Sequence, residues 1–451
     1  MKKYSLTLII LLSTVARFFA ATDMTVYNQN FATVRTNLSI MLEKGLNIYK
    51  YDDIPSGIQP TSVHLEPIKA SDKVVIHLQN YEYDLANTGK ILNKYLDKSV
   101  SLIVKAGDMY NGILKSFDYD TIVIENSMSG IHMVNRKEIQ TIDLAEMPKN
   151  FYTKPTLNWE LYSNKTGNTD CKLSYITNGI SWNAQYVGIL DNDDEKLNLS
   201  SWISLENNSG KAFKDVTLKL MAGDVHLAPD YNQYSRELMV FEGEGKGRYE
   251  PPVMTEKDFF EYHLYTLENK KVDINNNQQK QLSLFDPVDV KVKKIYRFNA
   301  DHGNDIAVLI NFKNDDKSGL GIPLPMGKVR IFKTQYDDAP EFVGEDNLEH
   351  TPKNEEVEIK IGTAFDIKGE CVLMESTRPS QKTREEKYEC EIRNQKDETV
   401  TIEVLKYLGT NWTITSSDIK YTKEDAYTLR FDVQIPAEDK VNFDFTVLYK
   451  Y

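Results

Sequence analysis

Most of the signatures by which catalytic proteins announce themselves are missing here. The chain has only 7 histidines in 451 residues, and they are scattered, with no His-Glu-x-x-His pair. That spacing is what sets two imidazoles on one helical face around zinc, so its absence argues against a zinc hydrolase. There is no Gly-x-Ser-x-Gly nucleophile elbow and no Gly-x-x-x-x-Gly-Lys phosphate loop. No cofactor fingerprint is found, and none is expected to be bound. Cysteine is sparse as well: Cys171, Cys371 and Cys390 stand far apart, without metal-ligand spacing. Positive charge is in deficit, with 54 Lys and Arg against 67 Asp and Glu, a formal net charge of −13. Such a chain repels phosphate backbones, which argues against nucleic acid as a partner and against anionic membrane surfaces.

Long apolar runs are also lacking, with one exception at the start, "MKKYSLTLIILLSTVARFFAAT". Lys2 and Lys3 precede an apolar stretch from Leu6 to Val15, and Ala20 and Ala21 offer small residues for cleavage. The stretch is short for a membrane span and fits a secretory signal peptide over residues 1–20. Arg17 and the bulky Phe18 and Phe19 depart from the usual pattern. No later segment is long and apolar enough to cross a bilayer as a helix. The expected location is the periplasm or cell envelope, or outside the cell.

What the chain does have is alternation. Its 26 Tyr and 18 Phe, without Ala-rich helical stretches, favour strands, and period-two patterns bounded by turn residues run through nearly its whole length. The expected fold class is all-β, as several β-sandwich modules. A first β module occupies 21–95. Residues 96–147, including "YNGILKSFDYDTIVIEN", read as an inserted small barrel of four or five strands, with Gly112 allowing a close strand approach. Sandwich modules follow over 150–310 and 311–451. The segment "EGEGKGRYEPP", with Gly243, Gly245 and Gly247, reads as a mobile loop.

The insert resembles the Sm/SH3-like small barrels in pattern. Two departures matter for the RNA chemistry of Sm proteins. Thr121 or Ile122 stands where that family carries an Asn, and Arg136-Lys137 stands where it carries Arg-Gly. A packing or protein-contact role is the plainer expectation.

From about Leu157 onward the chain resembles the DUF 4139 family, whose relatives include proteins labelled mucoidy inhibitor A. The stretches "YITNGISWNAQY", "WISLENNSGKAFKDVTLKLMAGDV", "FFEYHLYTLENKKVDI", "LPMGKVRIFK" and the terminal "FDFTVLYKY" carry the resemblance in family order. Many relatives insert a coiled coil where this chain has its small barrel. The resemblance implies an exported all-β protein of unknown biochemical role, with no catalytic residues to carry over.

Five constellations remain. Trp182 and Tyr186 share one strand face and Trp202 lies in the next strand, a ligand platform for a sugar ring or, more plainly, core packing. Asp301, His302 and Asp305 in "NADHGNDIA" put acids beside an imidazole, but neither a nucleophile nor a pocket is evident. "DNDDEKLNLSSW" from Asp191 starts like a calcium loop, yet Lys196 and Trp202 replace its Gly and Glu. Cys371 and Cys390 fall opposite one another if "GECVLMES" and "KYECEIRN" pair as antiparallel strands. They form either a cross-strand disulfide or two buried thiols, with Cys171 free in both cases. In the last strand, Val441, Phe443, Phe445, Val447, Tyr449 and Tyr451 share a face, as in a sandwich or at the end of an outer-membrane barrel. Three functions are therefore compared: a non-enzymatic envelope scaffold that binds another envelope protein, a carbohydrate-binding protein, and a cryptic hydrolase.

Overall fold

The computed structural model of the chain describes residues 22–83, 88–146, 152, 154–223, 225–227, 254–259, 262–268, 270–334 and 339–451. Residues 1–20, where a signal peptide is expected, and the segment "EGEGKGRYEPP", expected to be a mobile loop, lie outside the described residues. Within them the chain is all-β, with thirty strands, one α-helix at Thr88–Lys94 and a short 3-10 helix at Arg136–Glu138. Alternation is the cause. In Ile180–Leu190, residues Ile180, Trp182, Ala184, Tyr186, Gly188 and Leu190 are buried, and the residues between them are half-exposed. No described helix is long and apolar enough to cross a membrane.

Three sheets build the front of the molecule. The largest has eight strands, with Thr22–Tyr27 lying between Phe31–Leu42 and Phe213–Ala222, and Gly167–Asn178 beyond Phe31–Leu42. Facing it are a three-stranded sheet, in the order Gly45–Tyr51, Thr156–Ser163, Val74–Glu82, and a five-stranded one centred on Ile180–Leu190. Met24, Ile40 and Leu173 from the large sheet meet Trp159 and Leu161 from the small one, and Trp182, Ile203 and Leu205 from the third. Segments 21–95 and 150–310 thus contribute strands to the same sheets. Phe31–Leu42 pairs with Gly167–Asn178 over their full lengths, across the inserted unit.

The C-terminal part is a nine-stranded sheet folded over so that its two halves face each other. Tyr388, Cys390, Phe443, Phe445 and Val447 on one half pack against Phe298, Ile402, Val404 and Phe431 on the other. The face of the last strand from Phe443 to Tyr449 lies in this interior, whereas Tyr451 is exposed. A strand of 25 residues, Glu356–Ser380, pairs first with Asp305–Lys313 and then with Thr383–Asn394. Its leading half joins a third core, where Val357 and Ile359 meet Tyr186, Val329 and Ile331 of the front.

The inserted unit differs from expectation. Its five strands run in the order Ile139–Leu144, Ser99–Val104, Met109–Phe117, Thr121–Asn126, Gly130–Asn135, and the two outer strands do not pair, so the sheet stays open rather than closing into a barrel. The 3-10 helix between those strands gives the physical reason. Arg136 N–H donates to the Asp120 carbonyl and Lys105 N–H donates to the Glu138 carbonyl. The chain therefore crosses one end of the sheet and is tied to its turns, which leaves no hairpin ladder between the outer strands. Gly112 does sit at a close approach: a Cβ there would lie 2.5 Å from the Glu125 carbonyl oxygen. Leu92 and Tyr95 cover the open core of Leu102, Leu114, Ile122 and Ile124. The Tyr95 hydroxyl accepts from Glu146 N–H at 3.0 Å, linking entry and exit of the unit.

Candidate functional site

The structure does not bring Trp182, Tyr186 and Trp202 together as a platform. Trp182 is 1% exposed and its indole N–H donates to the Met221 carbonyl at 3.1 Å. The Tyr186 hydroxyl donates to the Pro325 carbonyl at 2.6 Å, and burial pushes that phenol well above its usual pKa. Both rings belong to the interior. Trp202 pairs with Gln185, which puts it on the opposite face, where it is 43% exposed.

Asp301, His302 and Asp305 are each engaged by neighbours. Asp301 accepts from Lys406 Nζ at 2.5 Å and from Tyr407 N–H at 2.7 Å. Asp305 accepts from Lys368 Nζ at 2.6 Å, and His302 N–H closes a turn onto the Asn299 carbonyl. The loop therefore organises the adjacent strand end. In the acidic stretch, Asp191 accepts from Glu195 and Lys196 N–H groups, which forms a turn. Burial alone would raise the Asp194 carboxyl, but ion pairs with Lys294 and Lys333 outweigh it and hold the pKa below the usual value. No group of three or more His, Cys, Asp or Glu is placed to hold a metal among the described residues.

Cys371 and Cys390 are opposed in the ladder and joined as a disulfide, with Gly369 opposite Ile392 and Leu373 opposite Tyr388. Cys171 is a free, buried thiol, and burial pushes its pKa up to about 11.

Two surface features escape a search for catalytic spacing. The first is the outer face of the three-stranded sheet. Ile48, Glu160 and Leu78 lie side by side across its strands, and Leu46, Tyr162 and Val75 form the next row. Leu46 is 63% and Ile48 73% exposed. Both outer strands of this sheet have an unpaired edge among the described residues, and the Gly45–Tyr51 register runs through seven pairs without a bulge. Its sequence signal was "GLNIYKY", which is apolar on the face that turns outward.

The second is a pair of tyrosines at one end of the C-terminal sheet. Tyr407 is 60% and Tyr427 45% exposed. Their ring centroids are 6.2 Å apart and their planes are inclined by 17°. Leu408 N–H donates to the Tyr427 carbonyl at 2.8 Å, which ties the two positions together. Asp425 accepts from Tyr427 N–H at 2.6 Å and Thr428 N–H at 2.7 Å, and these bonds, Tyr427's foremost, hold its carboxyl below the usual range. The chain matches neither a known family model nor a curated protein.

Proposed function

We propose that this chain is a non-enzymatic, exported scaffold or binding protein of the cell envelope, a member of the DUF 4139 family, that works by contact with another envelope protein. The observation that carries this reading is the three-stranded sheet with its Gly45–Tyr51 edge, unpaired among the described residues. An edge strand presents regularly spaced N–H and C=O groups, and natural proteins blunt such edges with bulges, Pro or charge. This edge has no bulge and no Pro, and its only charged residue is Lys50. Apolar Leu46 and Ile48 add side-chain contact on the same face. The occupant that fits is an extended strand of the partner, added to this edge.

The inserted unit belongs to the same reading as a contact module. Its strand order, with the fifth strand beside the first, supports kinship with Sm/SH3-like barrels in an open form. The start of the chain, with Lys2, Lys3 and the apolar stretch to Val15, supports export. Carbohydrate binding at Trp182, Tyr186 and Trp202 loses its support, because two of those rings lie inside the fold.

A photo-crosslinker placed at Ile48 in the native envelope tests the proposal, with one at exposed Lys382 as control. The expected result is one defined protein adduct from Ile48, lost when Leu46→Asp is introduced. Equal adducts from both positions, or none from Ile48, would remove the proposal.

A further inference from the structure

The long strand Glu356–Ser380 changes character partway along. Its pairing with Asp305–Lys313 ends where Asp305 faces Lys368, and Gly369 N–H donating to the Asn304 carbonyl is the last tie on that side. Beyond that point one edge of the strand has no neighbour among the described residues, and Thr383–Asn394 holds the other. From Glu370 to Ser380 every residue is exposed except Cys371, which is half-buried and packs against the C-terminal core. The ladder itself is interrupted, with shifts of register between Leu373 and Glu375 and between Thr377 and Ser380. Such shifts leave a residue unpaired and weaken the pairing locally. An arm with so few buried contacts can open while the rest of the fold stays closed.

Thr383–Asn394 is held far more firmly. It pairs with Asp439–Lys450 along its whole length, and Glu386, Tyr388, Cys390 and Ile392 are buried. The Cys371–Cys390 bond thus ties a weakly held arm to a firmly held strand. The two sulfurs also differ in access: Cys390 is 0% exposed, so a thiolate reaches the bond at Cys371. We propose that this disulfide is a redox latch: reduction by a dithiol releases Glu370–Ser380 from the sheet while the C-terminal core stays folded, and oxidation returns it. The attacking thiolate bonds to the Cys371 sulfur, the S–S bond breaks, and the Cys390 sulfur leaves and takes up a proton. The second thiol of the reductant then displaces Cys371 from the mixed disulfide. Two electrons and two protons have passed to the protein, and the dithiol has closed to a cyclic disulfide. Release bares the N–H and C=O groups that Thr383–Ile392 now shares with the arm.

The test is hydrogen exchange on the full chain without denaturant, in the oxidised state, after dithiothreitol, and after reoxidation. Alkylation of a denatured sample taken from each state reports whether the bond is open. Reduction is expected to quicken exchange over Glu370–Ser380 about tenfold or more, with Thr428–Ile435 and Val400–Tyr407 as in the oxidised protein. Reoxidation should restore the slow exchange. Cys371→Ser keeps the buried Cys390 and should exchange like the reduced parent whether or not reductant is present. The proposal is overturned if dithiothreitol leaves the bond closed, or if the bond opens and exchange over Glu370–Ser380 does not change. It is equally overturned if Thr428–Ile435 quickens as much as the arm, since the bond would then fasten the whole core. None of these outcomes depends on the Gly45–Tyr51 edge, so the two proposals stand or fall separately.

Discussion

At the scale of single residues, ionisable groups serve the fold, and their pKa directions say how. Asp194 lies between Lys294 and Lys333 with its pKa depressed. A carboxyl whose folded pKa lies below the unfolded value of about 3.9 contributes stability that is present above that value and lost as pH falls through the folded one. The melting temperature of the parent should therefore drop more steeply below about pH 4 than that of Asp194→Asn, and at neutral pH the variant should be the less stable. Parallel curves over the whole range would contradict this. The cysteines make a second residue-scale prediction. Alkylation of native-source protein under native conditions should label none of the three, since Cys171 is buried with a raised pKa. Under denaturing, non-reducing conditions Cys171 alone should be labelled. Three labelled cysteines would dismiss the Cys371–Cys390 bond. Closing a loop over a sequence separation of 19 contributes roughly 3 kcal/mol on the chain-entropy account.

At the scale of elements, what was legible and what was not divide along a physical line. Alternation is local, so strands could be read from it. Around Trp202, the phase of Leu197, Leu199, Ile203 and Leu205 sets the apolar face and leaves Trp202 on the other. The register of Glu356–Ser380 on Thr383–Asn394 was also readable, because a short loop and matching apolar phases leave few alternatives. The pairing of Phe31–Leu42 with Gly167–Asn178 was not, because nothing periodic marks a partner more than a hundred residues away. Barrel closure failed for a related reason. Strand content does not say whether the outer strands meet, and the tethers of the 3-10 helix decided that. The tyrosine pair was missed because an exposed aromatic at a strand end looks like any other until its neighbour is known. Gly112, by contrast, carried its signal openly. Gly112→Ala would set a Cβ within 2.5 Å of the Glu125 carbonyl, so the two strands must part, at a cost of about 1–3 kcal/mol. Hydrogen exchange over Thr121–Asn126 should quicken, while that of Ile180–Leu190 stays as in the parent. Unchanged exchange in the first segment would show that the approach is looser than described.

At the scale of the whole molecule, the front, middle and C-terminal cores are linked by shared strands. Asp305–Lys313 sends Ile306 into the C-terminal core and Ile310 and Phe312 into the middle one. Glu356–Ser380 does the same with Ile367 on one side and Val357 and Ile359 on the other. The middle core in turn includes Tyr186, whose strand also places Trp182 in the front sandwich. A defect in one core should therefore be felt in the next, because a strand cannot leave one layer while remaining whole in the other. Phe445 is the place to test this: it is buried between Tyr388 and Phe431, far from the front sheets in chain order. Phe445→Ala should cost about 3–5 kcal/mol by cavity formation and lost contacts. If the cores are coupled, hydrogen exchange should quicken at Thr428–Ile435, and also at Asp305–Lys313 and Ile180–Leu190, as one cooperative unit. If exchange rises only within Thr428–Ile435 and its neighbours in the C-terminal half, the shared strands act as passive links and the sandwiches unfold as separate bodies.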